Sequence, residues 1–374
     1  MSFFTDISSE MLYPIIPIFL TSTLGATPAI VGVIEGFAES TASILKLFSG
    51  WFSDRLGIRR PIVLAGYGLA AATRPLLALA HAWPLVLTAR VLDRFAKGVR
   101  TAPRDAMIAD STAPEFRGRA FGFHRSLDQM GAVIGPLLAL PLLAYFHQDF
   151  RSLFLVAFLP AVVSTALVLL ARETRRPPRR SGVPLHLEWG GMSPAFRRLV
   201  LSLGLFALTN SSDAFIILRA RQLGATTFVV VLMFSLYNLF SVLSAWPAGV
   251  LSDRIDRSRV LVGGLTIFGL AYLGFALAPS SSWFWFLFPL YGVYAGFTDG
   301  VARALVVDLV PMEKRGTALG MHAAVVGIAA LPASIIAGVI WQRLGPAAPF
   351  YTGAVGAAVT AVLLLLFPGR RSAP

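Results

Sequence analysis

Gly50-Trp51-Phe52-Ser53-Asp54-Arg55-Leu56-Gly57-Ile58-Arg59-Arg60 ends the second long apolar stretch of the chain and leads through a short basic turn into the third. Its centre returns: Ser53-Asp54-Arg55 recurs as Ser252-Asp253-Arg254, 199 residues later. Outward from it, Gly25-Ala26-Thr27 recurs as Gly224-Ala225-Thr226 at the same offset. Arg117-Gly118 recurs as Arg315-Gly316, and Phe123-His124 aligns with Met321-His322, both at an offset of 198. Four landmarks in one order, drifting by one residue, make the chain two parallel copies of one unit. The stretch between the copies, 172–198, is rich in Arg and Pro and reads as a linker. The expected division is therefore a bundle over 1–171, a linker over 172–198 and a second bundle over 199–374.

Each copy is built for lipid. Of the 374 residues 56% are hydrophobic and 14% charged, with a mean hydropathy of +0.71. A water-facing surface needs about a quarter charged residues. Apolar stretches of about 20 residues match a bilayer core ~30 Å thick, and in lipid each must be helical to satisfy its own backbone. The pattern predicts twelve such segments: 5–24, 28–52, 60–80, 84–108, 119–144 and 152–171, then 199–218, 226–250, 259–277, 283–308, 316–341 and 350–367. The fold class is an all-α membrane protein of about twelve transmembrane helices in two pseudo-symmetric six-helix bundles.

The net charge of +13 reports orientation rather than a nucleic-acid partner. Loops on one side of the twelve segments, with the C-terminus, hold 19 Lys and Arg, from Arg55 to Arg371; loops on the other hold Arg151, Arg219, Arg221 and Arg343. The positive-inside rule then places both termini in the cytoplasm of a multi-pass inner-membrane protein. Helix 1 begins almost at once, without a basic leader or cleavage site, so it is expected to be retained. With no cysteine there is no disulfide or thiol chemistry, and the redox compartment is left open. Clustered His, Met or Cys is lacking, so no metal site is expected, and no GxxxxGK[ST] sequence offers ATP drive. No cofactor and no catalytic residue are expected.

A family resemblance follows from these residues. Gly50 to Arg60 resembles motif A of the major facilitator superfamily, departing at Ile58, with a degenerate copy at Gly249 to Arg259. Arg94-Phe95-Ala96-Lys97-Gly98 resembles its motif B, with lysine in place of glutamine. Gly131 to Pro136 resembles motif C without the trailing glycine pair, and Glu115 to Arg119 fits the loop between helices 4 and 5. The resemblance implies two six-helix halves that rock about a site near the bilayer midplane. It also implies a cytoplasmic latch built from Gly50, Asp54, Arg55 and Gly57 with their counterparts Asp253 and Arg254. A plain stabilising turn at Gly57 stands beside that reading.

Intramembrane charges name the candidate site, because each costs at least ~2.5–3.5 kcal/mol to insert and so faces a cavity or a partner. At about 100° per residue, Arg90, Asp93, Arg94, Lys97, Arg100, Arg104 and Asp105 of the fourth segment share an arc of roughly 140°. Acids lie on other segments: Asp6 and Glu10 with Tyr13 on the first, Glu35 and Glu39 with Lys46 on the second, Asp128 near His124 on the fifth. The resemblance brings these segments around one half of the cavity. Glu10, Glu35, Glu39 and Asp128, with Arg94 as modulator, are the expected proton-coupling groups; structural ion pairing is the competing role. Tyr13, Lys97, Arg100 and Arg104 are the expected solute contacts. The second half offers Asn210, Asp213, Tyr237, Asn238, Trp246 and an i,i+4 pair, Asp299 and Arg303, spaced to satisfy itself.

These readings converge on a secondary transporter working by alternating access. The expected activity is proton-coupled antiport, an efflux of a small organic anion, zwitterion or amphipathic compound by a monomer. Its partners are that solute, protons and the lipid bilayer. Uptake by symport or facilitated diffusion, a non-transporting receptor and inorganic iron transport are the alternatives.

Overall fold

The computed structural model describes residues 1–56, 58–113, 116–171 and 189–366. Among them every regular element is a helix. The helices fall into twelve segments: α1 Ser2–Thr23, α2 Pro28–Leu56, α3 Arg60–Ala78, α4 Trp83–Asp110, α5 Arg117–Tyr145 and α6 Phe150–Leu169. Then come α7 Pro194–Gln222, α8 Thr227–Arg254, α9 Arg257–Leu277, α10 Phe284–Asp308, α11 Arg315–Leu344 and α12 Ala348–Leu366. Ten are long and apolar enough to cross a membrane; α4 and α10 are the two that fall short. In α4 the cause is the charge row just described. The expected linker lies outside the described residues as far as 188, and α7 begins five residues earlier than the apolar pattern suggests.

Three segments are broken, each where its sequence withholds backbone partners. Alpha1 interrupts between Leu12 and Ile16 at Pro14, which has no N–H to give. Alpha6 bends at Ala157, three residues before Pro160. Alpha7 stops at Thr209 and restarts at Ala214. The intervening Asn210, Ser211 and Ser212 have short polar side chains that compete for the backbone.

The chain divides into two compact units, Met1–Ala26 with Phe37–Pro184, and Thr27–Gly36 with Leu185–Pro374. In the first, α1 packs on α5, and α3 on α4 and α6; in the second, α8 and α9 pack on α10, α9 on α12, and α7 on α11. The same close approach is made twice. A methyl group on Gly98 of α4 would stand 2.6 Å from Leu45 Cβ and 3.0 Å from the Ala42 carbonyl of α2. On Gly296 of α10 it would stand 2.7 Å from the Ser241 carbonyl of α8 and collide with Ser244 Oγ. Ala42 and Leu45 map onto Ser241 and Ser244 at the 199 offset, and Gly98 onto Gly296 at 198. The repeat therefore extends to individual helix contacts, drift included.

Candidate functional site

In the first unit the polar face of α4 is met by α1, α2, α3 and α5. Its anchor is Arg74 of α3, only 2% exposed. Nε donates to Ser8 Oγ and Nη2 to Ser9 Oγ, both at 2.9 Å, which ties α3 to α1. Nη1 donates to Thr73 Oγ1 and to Asp93 Oδ1 of α4, each at 2.9 Å. Asp93 is as buried as its partner, so charge and hydrogen bonds are satisfied together, which buried ions require. Arg74 was not among the residues expected from sequence. A lone charge inside an apolar segment was the signal that would have found it.

At the next residue of α4, Arg94 Nε lies 3.1 Å from Glu39 Oε1 of α2. Arg90 stands over the Tyr13 ring, 5.5 Å from its centroid, and Arg100 over the Tyr67 ring at 4.7 Å. Arg100 is 4% exposed and its Nη1 makes no hydrogen bond. Arg104 donates to its neighbour Asp105 at 2.8 and 3.0 Å and to Ser2 Oγ at 3.2 Å. Lys97 is half-buried and within electrostatic reach of Asp6 and Glu10 of α1, Glu39 of α2 and Asp128 of α5.

Those α1 acids are placed by glycines. A methyl on Gly131 of α5 would be 2.7 Å from the Phe3 carbonyl and 2.9 Å from Asp6 Cβ. One on Gly135 would be 2.7 Å from the Ile7 carbonyl and 3.2 Å from Glu10 Cβ. The missing side chains thus let α5 rest against the backbone of α1 beneath both carboxylates. On the cytoplasm-expected side of this seam, His124 Nε2 and Asp128 Oδ2 are 3.5 Å apart, too far for a strong hydrogen bond. Glu35 is 1% exposed and belongs with Thr27–Gly36 to the second unit, while Lys46 is exposed.

The second unit has a different character. At the break in α7, Tyr272 of α9 donates to Asn210 Oδ1 at 3.2 Å, and Tyr291 of α10 donates to Asp213 Oδ1 at 2.6 Å. Asn210 Nδ2 donates to Tyr294 Oη at 3.4 Å. Tyr291 stacks on Tyr237 at 5.2 Å and on Tyr294 at 5.3 Å. Asn238 is half-buried beside Tyr237 in sequence, but Trp246 is 77% exposed and takes no part in these ring contacts. Asp299 and Arg303 are both exposed and no ion pair joins them, which corrects the self-satisfying pair expected from spacing. Asp299 acts on Tyr294 and Arg303 on His322 instead. Tyr272, Tyr291 and Tyr294 were missed because tyrosine reads as apolar filling in a membrane segment.

Of the expected latch, Gly57 and the side chains of Asp54 and Arg55, like the surroundings of Gly50, lie outside the described residues. In the second copy Arg257 bridges Asp253 at 3.1 Å and Asp308 of α10 at 2.8 Å, and Arg254 is exposed.

The sequence profile of the Major Facilitator Superfamily matches residues 1–218 and 199–374. An uncharacterized MFS-type transporter of Methanocaldococcus jannaschii is 34% identical over 370 residues, covering 97% of this chain and 92% of that protein. The multidrug resistance protein MdtH of Aeromonas hydrophila subsp. hydrophila is 28% identical over 272 residues, 71% of this chain and 67% of that one. Among solved structures, a variant of the nucleoside transporter NupG superposes with a TM-score of 0.82 at 12% identity, covering 98% of each chain. An auto-inhibited POT family peptide transporter gives 0.82 at 14% identity, over 100% of this chain and 97% of the other.

Proposed function

The chain belongs to the Major Facilitator Superfamily and is a multi-pass membrane transporter of small molecules rather than an enzyme, and from that premise we propose that it is a proton-coupled antiporter that exports an amphipathic organic solute. One arrangement supports the reading: four carboxylates from three helices lie within electrostatic reach of Lys97, beside the Arg94–Glu39 pair. These acids share Lys97 with the arginines of the same face, so protonating one of them alters the balance, and a solute anion on Lys97 or Arg100 competes with the same acids. Arg94 governs how readily Glu39 exchanges its proton. Arg100, buried over the Tyr67 ring with one nitrogen unbonded, is a cation of the row with hydrogen-bonding capacity to spare, which a solute oxygen would meet once the cavity opens. Efflux is further supported by the MdtH relatives, which are named for multidrug resistance.

The proposal sets both termini and the 172–198 linker in the cytoplasm of the inner membrane, with Asp54 latching that side in a monomeric carrier. The test begins with a thermal-shift screen of amphipathic anions and zwitterions against purified protein at two pH values. A ligand so found is then offered to proteoliposomes under a pH gradient of each polarity. Antiport predicts solute movement opposite to the proton flow, and Arg94→Ala should abolish that coupling while Arg100→Ala weakens solute affinity. Movement in the same direction as protons would establish symport instead.

A further inference from the structure

One cation of the first unit is left without an acceptor. Arg100 of α4 is buried, and its Nη1 has no hydrogen-bond partner among the described residues. No carboxylate there pairs with it: Asp93 is bridged to Arg74, and Asp6 acts on it only electrostatically. What receives it is the ring of Tyr67, whose centroid is 4.7 Å from the guanidinium carbon. That ring is fixed, being 1% exposed with its hydroxyl 3.0 Å from Ser2 Oγ. A ring attracts the charge but offers no oxygen to the N–H groups, and a buried guanidinium short of acceptors is costly. Packing does not require it. Gly66 lets Arg100 Cβ against α3 as Gly264 lets Thr298 Cγ2 against α9, and Tyr67 corresponds to Leu265 at the same 198 offset. Where the second unit seats threonine beside leucine, the first seats a guanidinium beside a phenol. Thr298 meets its own need by donating to the Tyr294 carbonyl at 2.9 Å, whereas Arg100 leaves its need open.

We infer that Arg100 anchors a carboxylate of the transported solute through paired N–H···O bonds, with Tyr67 as the positioning residue that holds the guanidinium for it. The fork of an arginine matches the two oxygens of a carboxylate, and the charge of the incoming group answers the burial cost that the protein itself leaves unanswered. A doubly charged phosphate fits less well. Asp6 and Asp93 already act on this arginine, so one negative charge is balanced there and a second is repelled. The inference rests on the transport reading and narrows it: the solute is a carboxylic acid or a zwitterion bearing a carboxylate, and it reaches Arg100 in the conformations that alternating access exposes.

The test has a ligand-free arm and a binding arm, both on the purified full chain. In the first, Arg100→Met removes the charge at similar length and should raise the melting temperature by about 2 °C or more, because the burial cost is relieved. Tyr67→Leu combined with Arg100→Thr, which copies the second unit, should melt no lower than wild type. In the second arm naphthoate, naphthyl phosphate and naphthamide, which share one ring system, are titrated by equilibrium dialysis. Wild type should bind naphthoate about tenfold more tightly than either other probe, and Arg100→Met should erase that preference. Arg100→Lys, which keeps the charge without the fork, should recover only part of it. Tyr67→Leu should weaken naphthoate about fivefold, while Tyr67→Phe, which keeps the ring, stays near wild type. A lower melting temperature in Arg100→Met would make the arginine structural and overturn the inference. So would a wild type without preference for naphthoate, or a preference that survives Arg100→Met. Solute flux in proteoliposomes that is indifferent to Arg100→Met would sink this site alone. An Arg100-dependent preference for naphthoate without flux would uphold the site and remove the transport reading.

Discussion

In the N-terminal unit, α1, α3 and α4 are joined by Arg74 and Asp93; in the C-terminal unit, α7, α9 and α10 are joined by Tyr272 and Tyr291. These are the same two places, since Arg74 maps onto Tyr272 and Asp93 onto Tyr291 at the 198 offset. A neighbouring contact supports the register: Gly66 meets Arg100 Cβ, and Gly264 meets Thr298, its counterpart. In each unit the α3- or α9-borne side chain reaches a broken or polar stretch of the first helix, Ser8 and Ser9 in one, Asn210 in the other. The repeat keeps the position of the joint and changes its chemistry. An ionic joint suits a unit whose α4 face is crowded with charge. A phenolic joint holds its helices with neutral hydroxyls and leaves ring faces for contact.

The comparison breaks most sharply at Arg74. Arg74→Ala leaves Asp93 buried without its counter-charge and should cost about 3–5 kcal/mol, measured by denaturant titration in mixed micelles. Arg74→Met combined with Asp93→Leu should recover most of that loss, because both desolvated charges go together. Tyr272→Phe should cost only about 1 kcal/mol, one neutral hydrogen bond. If Arg74→Ala and Tyr272→Phe prove equal, the joints differ in appearance only.

A smaller effect sharpens the likeness. Gly98→Ala and Gly296→Ala each place a methyl group against a neighbouring helix and should cost about 1–3 kcal/mol through overpacking. The two losses should agree within experimental scatter. A large loss at one glycine and none at the other would show that the helix seams of the two units are not equivalent.

The smallest effect lies where the copies part. Alpha6 is capped by Asp149, which accepts from the N–H of Arg151 at 3.1 Å and of Ser152 at 3.2 Å, while the equivalent position before α12 is Ala347. Asp149→Ala should lower stability by about 1 kcal/mol. The Ser152 hydroxyl, and then those two N–H groups, hold its carboxyl below the ordinary 3.8. A depressed folded-state pKa means the cap is fully present above that ordinary value and is lost as pH falls through the folded one. Wild type and Asp149→Ala should therefore differ in melting temperature at pH 7 and converge under strong acid.

The helical segments, the repeat and the basic face of α4 were legible because each is a periodicity: apolar runs of bilayer length, landmarks at a fixed offset, charges at 100° steps. What escaped was pairing across helices. Arg74 sits in a segment whose one other charge, Arg60, stands at its far end and forms no pattern with it, and its partners lie 66, 65 and 19 residues away. Spacing suggested that Asp299 would bond Arg303, yet i,i+4 geometry permits a pair without compelling one when both side chains are exposed. The site in the second unit was half visible: Asn210, Asp213 and Tyr237 announced themselves as polar groups in lipid. Tyr272, Tyr291 and Tyr294 did not, since a phenol's hydroxyl shows its role only once its acceptor is placed.

Of the four basic side chains expected on the Lys- and Arg-poor side, Arg151, Arg219, Arg221 and Arg343, three are held on backbone carbonyls. Arg151 donates to Ala78 and Ala80 at the end of α3, Arg219 to Phe275 and Ala276 at the end of α9, and Arg221 to Ala225. On the proposed topology these guanidinium groups sit on the far side of the bilayer, so each was carried outward during biogenesis. Against a negative-inside potential that passage costs about 2.3 kcal/mol per charge for every 100 mV. The carbonyls that receive Arg219 belong to α9 and are synthesised 56 and 57 residues later. On that topology the carbonyls that hold Arg219 in place are made after it, so its anchorage is completed only when the later helix packs.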